Sequence, residues 1–263
     1  MNLKGPIGVF DSGIGGLTVV KALQQVLPGE SLVYLGDTAH VPYGNKSAAT
    51  VTSLSLANLK FLLSKQVKLV VVACNTSTAV SLPVLQRATV VPVIGVIEPG
   101  ARAAVEATRS HRIGVIGTVG TIESGAYQRA VKRLEPKAKI FEQACPLLVP
   151  LAEEGWTDHA VARRVLEEYL EPLKKAKVDT LILGCTHYPL FKTLIQRVMG
   201  RSVKIVDSAQ ATAHVVREVL GTSSPSSPSS PSFFVTDVPR QFERLGRTFL
   251  GRPVRPVRVV KVA

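Results

Sequence analysis

The sequence predicts an α/β protein with two similar doubly wound domains, whose mainly parallel sheets face each other across a cleft. Short β-branched runs alternate with helical segments along the chain, which is typical of parallel sheets covered on both faces. Two motifs also recur, with one copy in each half of the chain. The 263 residues, 46% of them hydrophobic, supply enough apolar material for a sizeable core in one large or two smaller domains.

Each half contains four predicted strands and three predicted helices. The strands are apolar runs bounded by glycine, proline or polar clusters, and the helical segments lie between them. In the first half, strands are predicted at 7–10, 31–36, 69–73 and 93–96, and helices at 17–26, 46–66 and 76–87. In the second half, strands are predicted at 112–117, 138–143, 180–184 and 203–208, and helices at 121–134, 157–177 and 189–199.

The recurring motifs predict an internal duplication. IGVFDSGIGGLTV (7–19) aligns with IGVIGTVGTIES (113–124), and VVVACNTST (70–78) aligns with LILGCTHYP (181–189). Chance similarity of valine-rich strands is a weaker explanation, because both copies of the second motif carry a cysteine at the same place. We therefore expect two related α/β domains.

The end of the chain is predicted to return to the first domain. TSSPSSPSSPS (222–232) is low-complexity and cannot bury apolar surface, so we expect a flexible loop there. FFVTD (233–237) and the basic tail after it are predicted to be structured and to rejoin the first sheet. The first domain is thus predicted to comprise residues 1–97 and 209–263, and the second residues 98–208.

Composition argues against several classes of protein. No apolar run approaches the roughly 20 residues that span a bilayer, and the N-terminus lacks signal-peptide features, so we expect a cytoplasmic protein with no membrane partner. Cys74, Cys145 and Cys185 form no CxxC pair, which argues against a disulfide framework or a structural zinc site. The five histidines show no metal-ligand spacing, so no metal is expected.

A formal charge of +13 raises the alternative of a basic nucleic-acid-binding or regulatory protein. The excess is concentrated between residues 240 and 261, where seven arginines and lysines face one glutamate. This tail has no recognisable RNA or DNA motif, and charge alone supports only nonspecific binding. We therefore favour a solvated edge and regard nucleic acid as an unlikely partner.

Polar residues crowd at the predicted carboxyl ends of the strands, where open parallel sheets bind ligands. Helices that begin after these turns offer free N–H groups that suit a carboxylate. The turns carry Asp11 and Ser12 after the first strand, Tyr43 and Gly44 behind the second, Cys74, Asn75 and Thr76 after the third, and Cys185, Thr186 and His187 after the seventh. DSGIGG (11–16) lacks the third glycine of a dinucleotide fingerprint and the lysine of a P-loop, so no nucleotide is expected.

Each half thus offers one thiol at the mouth of its sheet. A lone cysteine is usually a small buried hydrophobe, and we interpret Cys145 in that way because it has no polar neighbourhood. Cys74 and Cys185 are instead followed by groups that can hold a thiolate and lower its pKa from about 8.5. Asp11 and His187 are their candidate partners, one in each half.

Two thiols on facing domains suit a racemase with two bases. One thiolate would remove the Cα proton from one face of a small ligand, and the other thiol would deliver a proton to the opposite face. A dithiol redox protein usually has its cysteines in a CxxC pair, and a cysteine hydrolase needs only one thiol with a base and an oxyanion hole. Neither explains one thiol in each repeat.

The motifs resemble those of the glutamate racemases, within the cofactor-independent aspartate/glutamate racemase family. The resemblance runs from residue 7 to about residue 210 in FDSGIGGLTV, YLGDTAHVPYG, VVACNTSTA, GVIEPG, IGVIGT and LILGCTHYPL. It implies racemisation of glutamate without any cofactor, to supply D-glutamate for peptidoglycan, and an assembly as a homodimer. A racemase of another acidic amino acid, such as aspartate, is the alternative within the class.

The resemblance also assigns roles to residues. Cys74 and Cys185 are implied to be the acid/base pair, Cys74 for D-glutamate and Cys185 for L-glutamate, with Asp11 and His187 assisting. Ligand contacts are implied for Asp11, Ser12, Tyr43, Gly44, Asn75, Thr76, Thr186 and His187. Glu153 is a possible acidic assistant, although Glu154 beside it leaves that assignment open.

Overall fold

The computed structural model describes residues 5–221 and 230–262 and contains two parallel β-sheets flanked by helices. The strands are β1 (Ile7–Asp11), β2 (Leu32–Gly36), β3 (Leu69–Val72), β4 (Val93–Gly95), β5 (Arg112–Gly117), β6 (Lys139–Ala144), β7 (Thr180–Gly184), β8 (Lys204–Asp207), β9 (Ser232–Val235) and β10 (Val257–Val259). All eight strands predicted from the apolar runs are present, each with boundaries within one residue of the prediction.

The two sheets share a strand order. The first sheet runs β10–β9–β2–β1–β3–β4, and the second runs β6–β5–β7–β8. Every pairing is parallel. The predicted parallel α/β class is therefore confirmed. Within each half the strands lie in the order second, first, third, fourth, which supports the predicted duplication.

Helices cover the sheets. They are α1 (Leu17–Val26), α2 (Ala48–Ser64), α3 (Asn75–Arg87), α4 (Ile97–Ala107), α5 (Val119–Glu123), α6 (Ala126–Leu134), α7 (Leu148–Glu153), α8 (Ala160–Lys175), α9 (Lys192–Met199), α10 (Ser208–Leu220) and α11 (Pro239–Leu250). Short 3₁₀ turns occupy Thr38–His40, Tyr43–Asn45 and Tyr188–Phe191.

The helix predictions needed correction at several places. The single helix predicted at 121–134 is wrong, because the chain breaks it into α5 and α6 at Gly125, where φ is 61° in the left-handed region. The predicted start at 189 is also wrong for α9, since a 3₁₀ turn precedes the helix. The sequence did not predict α4, α7, α10 and α11.

The end of the chain rejoins the first sheet, as predicted. β9 pairs with β2, and β10 pairs with β9 at the edge of the sheet. Phe242 and Phe249 of α11 are buried, whereas Arg258 is exposed. The basic tail is thus a helix and an edge strand. Most of the predicted Ser/Pro loop, residues 222–229, lies outside the described residues, and its last residue belongs to β9.

One apolar cluster extends through both halves of the chain. It joins Leu17 and Leu23 of α1, Val216 of α10, and Leu166 and Leu170 of α8. Each buried leucine contributes about 2 kcal/mol of transfer free energy, so the cluster holds the two sheets together. The domain boundaries predicted at 97/98 and 208/209 stay a prediction. Within residues 5–221 and 230–262, no helix is long and apolar enough to cross a membrane.

Candidate active site

The first thiol lies at the turn from β3 into α3. Cys74 caps this helix, and its Sγ accepts a hydrogen bond from the Ser77 amide at 3.5 Å. The thiol also donates to Oγ of Ser12 at 3.8 Å, and the residue is only 5% exposed. The continuous buried strand before it places the sulfur at the carboxyl end of the sheet.

The prediction of a pKa below about 8.5 for Cys74 is wrong, because burial outweighs the effect of its polar neighbours. Burial, the largest cause, and the charge of Asp11 together raise the pKa to about 12. The Ser77 amide and the Ser12 hydroxyl favour the thiolate but do not offset burial, and a charge on Cys185 disfavours it. At neutral pH Cys74 is therefore a thiol, ready to give a proton rather than take one.

The second thiol lies at the equivalent turn after β7. Cys185 is 6% exposed, and its Sγ lies 4.0 Å from Nδ1 of His187. The other ring nitrogen of His187, Nε2, lies 3.0 Å from Oε1 of Glu153 at the end of α7. A thiol, an imidazole and a carboxylate therefore follow one another, and the acidic residue is Glu153 and not the exposed Glu154.

This arrangement favours the charged form of His187. Burial lowers the pKa of its imidazole, but a thiolate at Cys185 and the carboxylate of Glu153 together raise it to about 10. The ring of Phe249 packs edge-on against the imidazole, with centroids 5.2 Å apart. The sulfur of Cys185 therefore lies beside the imidazole of His187, whereas that of Cys74 lies near the carboxylate of Asp11.

Asp11 ends β1 as a fully buried carboxylate. Its Oδ2 accepts hydrogen bonds from the amides of Gly13 at 3.1 Å and Gly16 at 3.0 Å. Burial raises the pKa of this carboxyl, while the charge of His187 and the backbone amides oppose the rise. Oδ1 has no hydrogen-bond partner among the described residues. Asp11 acts on Cys74 through its charge, and no hydrogen bond joins the two side chains in the described chain.

The glycine-rich turn after Asp11 touches the second thiol turn. A Cβ at Gly15 would lie 2.3 Å from Oγ1 of Thr186 and 2.5 Å from Nδ1 of His187, so only glycine fits there. Thr18 donates to the carbonyl of Thr186 at 3.1 Å. The first motif of one half thus packs directly on the C-T-H turn of the other.

Tyr43 and Gly44 have different surroundings. The Tyr43 hydroxyl donates to Oδ2 of the buried Asp37 at 2.5 Å and accepts from Asn58 at 3.0 Å. Gly44 lies against Thr118 and lines the cleft. A ligand contact by the Tyr43 side chain stays a prediction, since its hydroxyl already has two partners.

Three threonine hydroxyls join the two halves. Oγ1 of Thr76 lies 2.9 Å from Oγ1 of Thr118 and 3.1 Å from Oγ1 of Thr121, which are themselves 2.9 Å apart. Sequence reasoning missed Thr118 and Thr121. The signal for Thr118 was in the aligned motifs, where it stands opposite Ser12.

A cleft of about 430 Å³ opens at these turns. Ser12, Gly44, Thr118, Glu153 and His187 line its polar side, and Pro146, Leu147, Val149 and Pro150 line an apolar side. Neither thiol is among the residues that line this cleft. Two lining residues are next to them: Oγ of Ser12 lies 3.8 Å from Sγ of Cys74, and Nδ1 of His187 lies 4.0 Å from Sγ of Cys185. A larger cavity of about 800 Å³ lies among the charged side chains of α8 and α9 and contains neither thiol.

The structure therefore brings together most of the predicted site residues, around the two thiol turns and the turn after β1. Their individual roles stay predictions. In the part of the chain that the structure describes, no group of three or more histidine, cysteine, aspartate or glutamate side chains is placed to hold a metal ion.

Comparison with known proteins identifies the family. Residues 8–216 match the family described as Asp/Glu/Hydantoin racemase. A glutamate racemase of Geobacter metallireducens is 54% identical over 249 residues, which cover 93% of this chain and 92% of that protein. A crystal structure of a glutamate racemase isoform from Bacillus anthracis superposes with a TM-score of 0.94 at 40% identity, covering 99% of each chain. A Francisella tularensis glutamate racemase in complex with D-glutamate gives 0.90 at 35% identity, covering 98% of each.

The fold and the paired thiol turns, together with these similarities, define an isomerase that racemises amino acids. The chain belongs to the Asp/Glu/Hydantoin racemase family.

Proposed function

We propose that this chain interconverts L- and D-glutamate without a cofactor, with Cys74 and Cys185 as the two acid/base groups. The observation that carries the proposal is the opposite electrostatic setting of the two thiols. Cys74 is buried beside the carboxylate of Asp11, whereas Cys185 is next to an imidazolium. One sulfur thus lies near a negative charge and is held as a thiol, and the other lies 4.0 Å from a ring nitrogen of His187.

Racemisation then follows in one direction as a pair of proton transfers. The Cys185 thiolate takes the Cα proton of L-glutamate, so that an S–H bond forms as the C–H bond breaks. The Cys74 thiol gives its proton to the opposite face of the carbanion and becomes a thiolate. The product is D-glutamate, and the reverse reaction restores the first protonation state. Precise positioning and relief of the carbanion charge must supply much of the rate, because an α-proton is only weakly acidic.

Two unpartnered polar atoms support binding of an α-amino acid. Oδ1 of Asp11 is a buried acceptor, and Nδ2 of Asn75 is a buried donor. Neither atom has a hydrogen-bond partner among the described residues. An ammonium group would satisfy the first atom and a carboxylate the second. Asn75 also begins α3, whose free N–H groups and positive dipole end favour a carboxylate.

Glutamate is favoured over aspartate by relatives that are 54% and 51% identical to this chain and bear the name glutamate racemase. A cleft of about 430 Å³ accommodates either amino acid, so its volume does not discriminate between them. The proposal includes the supply of D-glutamate for peptidoglycan, a cytoplasmic location and a homodimeric assembly.

The test is circular dichroism of purified protein with L-glutamate and no added cofactor. The signal should decay to zero as the racemic mixture forms, and each enantiomer should gain solvent deuterium at Cα when the reaction runs in D₂O. Aspartate under the same conditions should turn over far more slowly. An unchanged glutamate signal, or faster turnover of aspartate, would overturn the assignment.

A further inference from the structure

Tyr127 of α6 is a fully buried tyrosine that touches both thiol turns. Its hydroxyl donates to Oδ1 of Asn75 at 2.7 Å, in the residue that follows Cys74. Its ring packs against the backbone before Cys185, where a Cβ at Gly184 would lie 2.9 Å from Cε2 of the ring. The racemisation steps proposed above do not use this residue.

The hydrogen bond fixes the orientation of the Asn75 amide. Because Oδ1 accepts from Tyr127, Nδ2 is turned the other way and has no partner among the described residues. The Ser208 hydroxyl, which lies near that of Tyr127, donates its own proton to the carbonyl of Leu183 at 3.3 Å. The proton of Tyr127 goes to Oδ1 of Asn75 at 2.7 Å, so Nδ2 is the atom of the amide that is left for another acceptor.

The chemistry of the phenol suits a permanent donor. Burial raises the pKa of Tyr127 strongly, Ser208 lowers it, and the negative charges of Cys185 and Asp207 raise it further. The hydroxyl therefore stays protonated whichever thiol is ionised during the reaction. The donor role of Tyr127 toward Asn75 persists through both directions of racemisation.

We propose that Tyr127 is a positioning residue, which locks the Asn75 amide so that Nδ2 is presented to a carboxylate of the substrate. This inference rests on the function proposed above. Tyr127 also places this donor relative to Cys185, because its ring packs on the turn that carries that thiol. It contacts no reacting atom and acts through Asn75 alone.

A double-mutant cycle on glutamate racemisation tests the proposal, with Tyr127→Phe, Asn75→Ala and the double variant. In the native background, Tyr127→Phe should lower kcat/KM roughly tenfold, the cost of a buried hydrogen bond and an unlocked amide. The loss should lie mainly in KM, since the interaction serves substrate and transition state alike. In the Asn75→Ala background, the same change should cost less than about twofold, because there is no amide left to orient.

Tyr169→Phe is the control for loss of a tyrosine hydroxyl, since this half-buried residue of α8 accepts from the Leu147 amide at 3.5 Å and has no bond to Asn75, so it should not reproduce the tenfold loss. Unfolding midpoints of all variants show whether each protein is folded. If Asn75→Ala is too slow to measure, the same cycle is run on glutamate affinity by calorimetry in a Cys74→Ser background.

An equal cost of Tyr127→Phe in both backgrounds would overturn the proposal, because it would mean a general structural role. No cost in the native background would overturn it as well. A native enzyme that fails to racemise glutamate counts against the proposed function instead, so the two failures are distinguishable.

Discussion

Oε1 of Glu153 lies 3.0 Å from Nε2 of His187, while Nδ1 on the other side of the imidazole faces Cys185 at 4.0 Å. The imidazole thus connects a carboxylate on α7 with the second thiol. A protonated ring in this position is stabilised by the carboxylate of Glu153, and it lies beside the sulfur that takes the proton of L-glutamate in the proposed mechanism.

Glu153→Gln should therefore make the enzyme more sensitive to high pH. The pKa of His187 is raised to about 10 by Cys185 and Glu153 against the lowering effect of burial, and glutamine removes one of the two raising charges. We expect the alkaline limb of the kcat/KM profile to move down by about one to two pH units, the worth of one charge-assisted hydrogen bond. Glu154→Gln, at the exposed neighbour, is the control and should leave the profile in place.

The contact between His187 and Glu153 also predicts how stability depends on pH. Because the pKa of His187 is higher in the folded state than its ordinary value of 6.5, its contribution to the free energy of unfolding is complete below about pH 6.5. It is lost as the pH rises through about 10. Urea unfolding should therefore show the largest difference between native protein and Glu153→Gln near pH 6, and a constant difference across this range would contradict the linkage.

Gly15→Ala should impair catalysis more than folding. The new methyl group would overlap Oγ1 of Thr186 and Nδ1 of His187, and displacement of a catalytic group by about 1 Å costs roughly 100-fold in rate. Gly200→Ala is the control, because φ there is 88° and no atom lies within 4 Å, so strain lowers stability without touching the site. Steady-state rates and unfolding midpoints of both variants show whether catalysis or stability is lost. Near-native activity of Gly15→Ala would mean that the two turns adjust freely.

Asp11→Asn should retain the fold and lose affinity for the substrate. The amide oxygen can still accept from the Gly13 and Gly16 amides, but an NH₂ group then replaces the unpartnered Oδ1 that we assign to the ammonium group. We expect kcat/KM to fall roughly 100-fold, as for loss of a hydrogen bond to a charged group. Initial rates on both enantiomers measure this. A loss of activity that merely parallels a loss of stability would remove Asp11 from the binding role.

Thr118→Val should weaken the contact between the halves. Valine keeps the shape but removes the hydroxyl that bonds Thr76 and Thr121 and caps α5. We expect a loss of about 1 to 2 kcal/mol in the free energy of unfolding, together with a higher KM. Denaturant titration measures the free energy of unfolding, and steady-state kinetics measures KM. Thr118→Ser should restore both, and a failure of serine to rescue would assign the effect to packing against Gly44.

The sequence predicted the sheets and the thiol turns because each continuous apolar run indicates a buried strand, and the end of the run indicates where the turn begins. Cys74 and Cys185 each end such a run, so their place at the carboxyl ends of strands followed directly. Helix α11 was not predicted although Phe242, Leu245 and Phe249 have helical spacing. The arginines between them favoured interpretation of this segment as a basic tail. Short α7 contains a proline and shows no clear period, so the partner of His187 could not be fixed.

The features that the sequence missed depend on tertiary structure. The raised pKa of Cys74 follows mainly from burial, which local polar neighbours do not reveal. The bond from Tyr127 to Asn75 joins residues 52 positions apart in different halves, and no local pattern marks it. Of the threonine cluster, the sequence could have predicted only Thr118, through its alignment with Ser12 in the repeated motif.

The central claim is that each thiol serves one face of the substrate carbon, and single serine variants test it most directly. A serine hydroxyl holds its proton too tightly to replace a thiolate, so Cys74→Ser and Cys185→Ser should each lose racemisation by at least roughly 1000-fold. An analogue with a leaving group at Cβ needs only one deprotonation to eliminate. Elimination should persist from the L-analogue with Cys74→Ser and from the D-analogue with Cys185→Ser. Full racemisation by either variant, or elimination from the same enantiomer by both, would contradict the account.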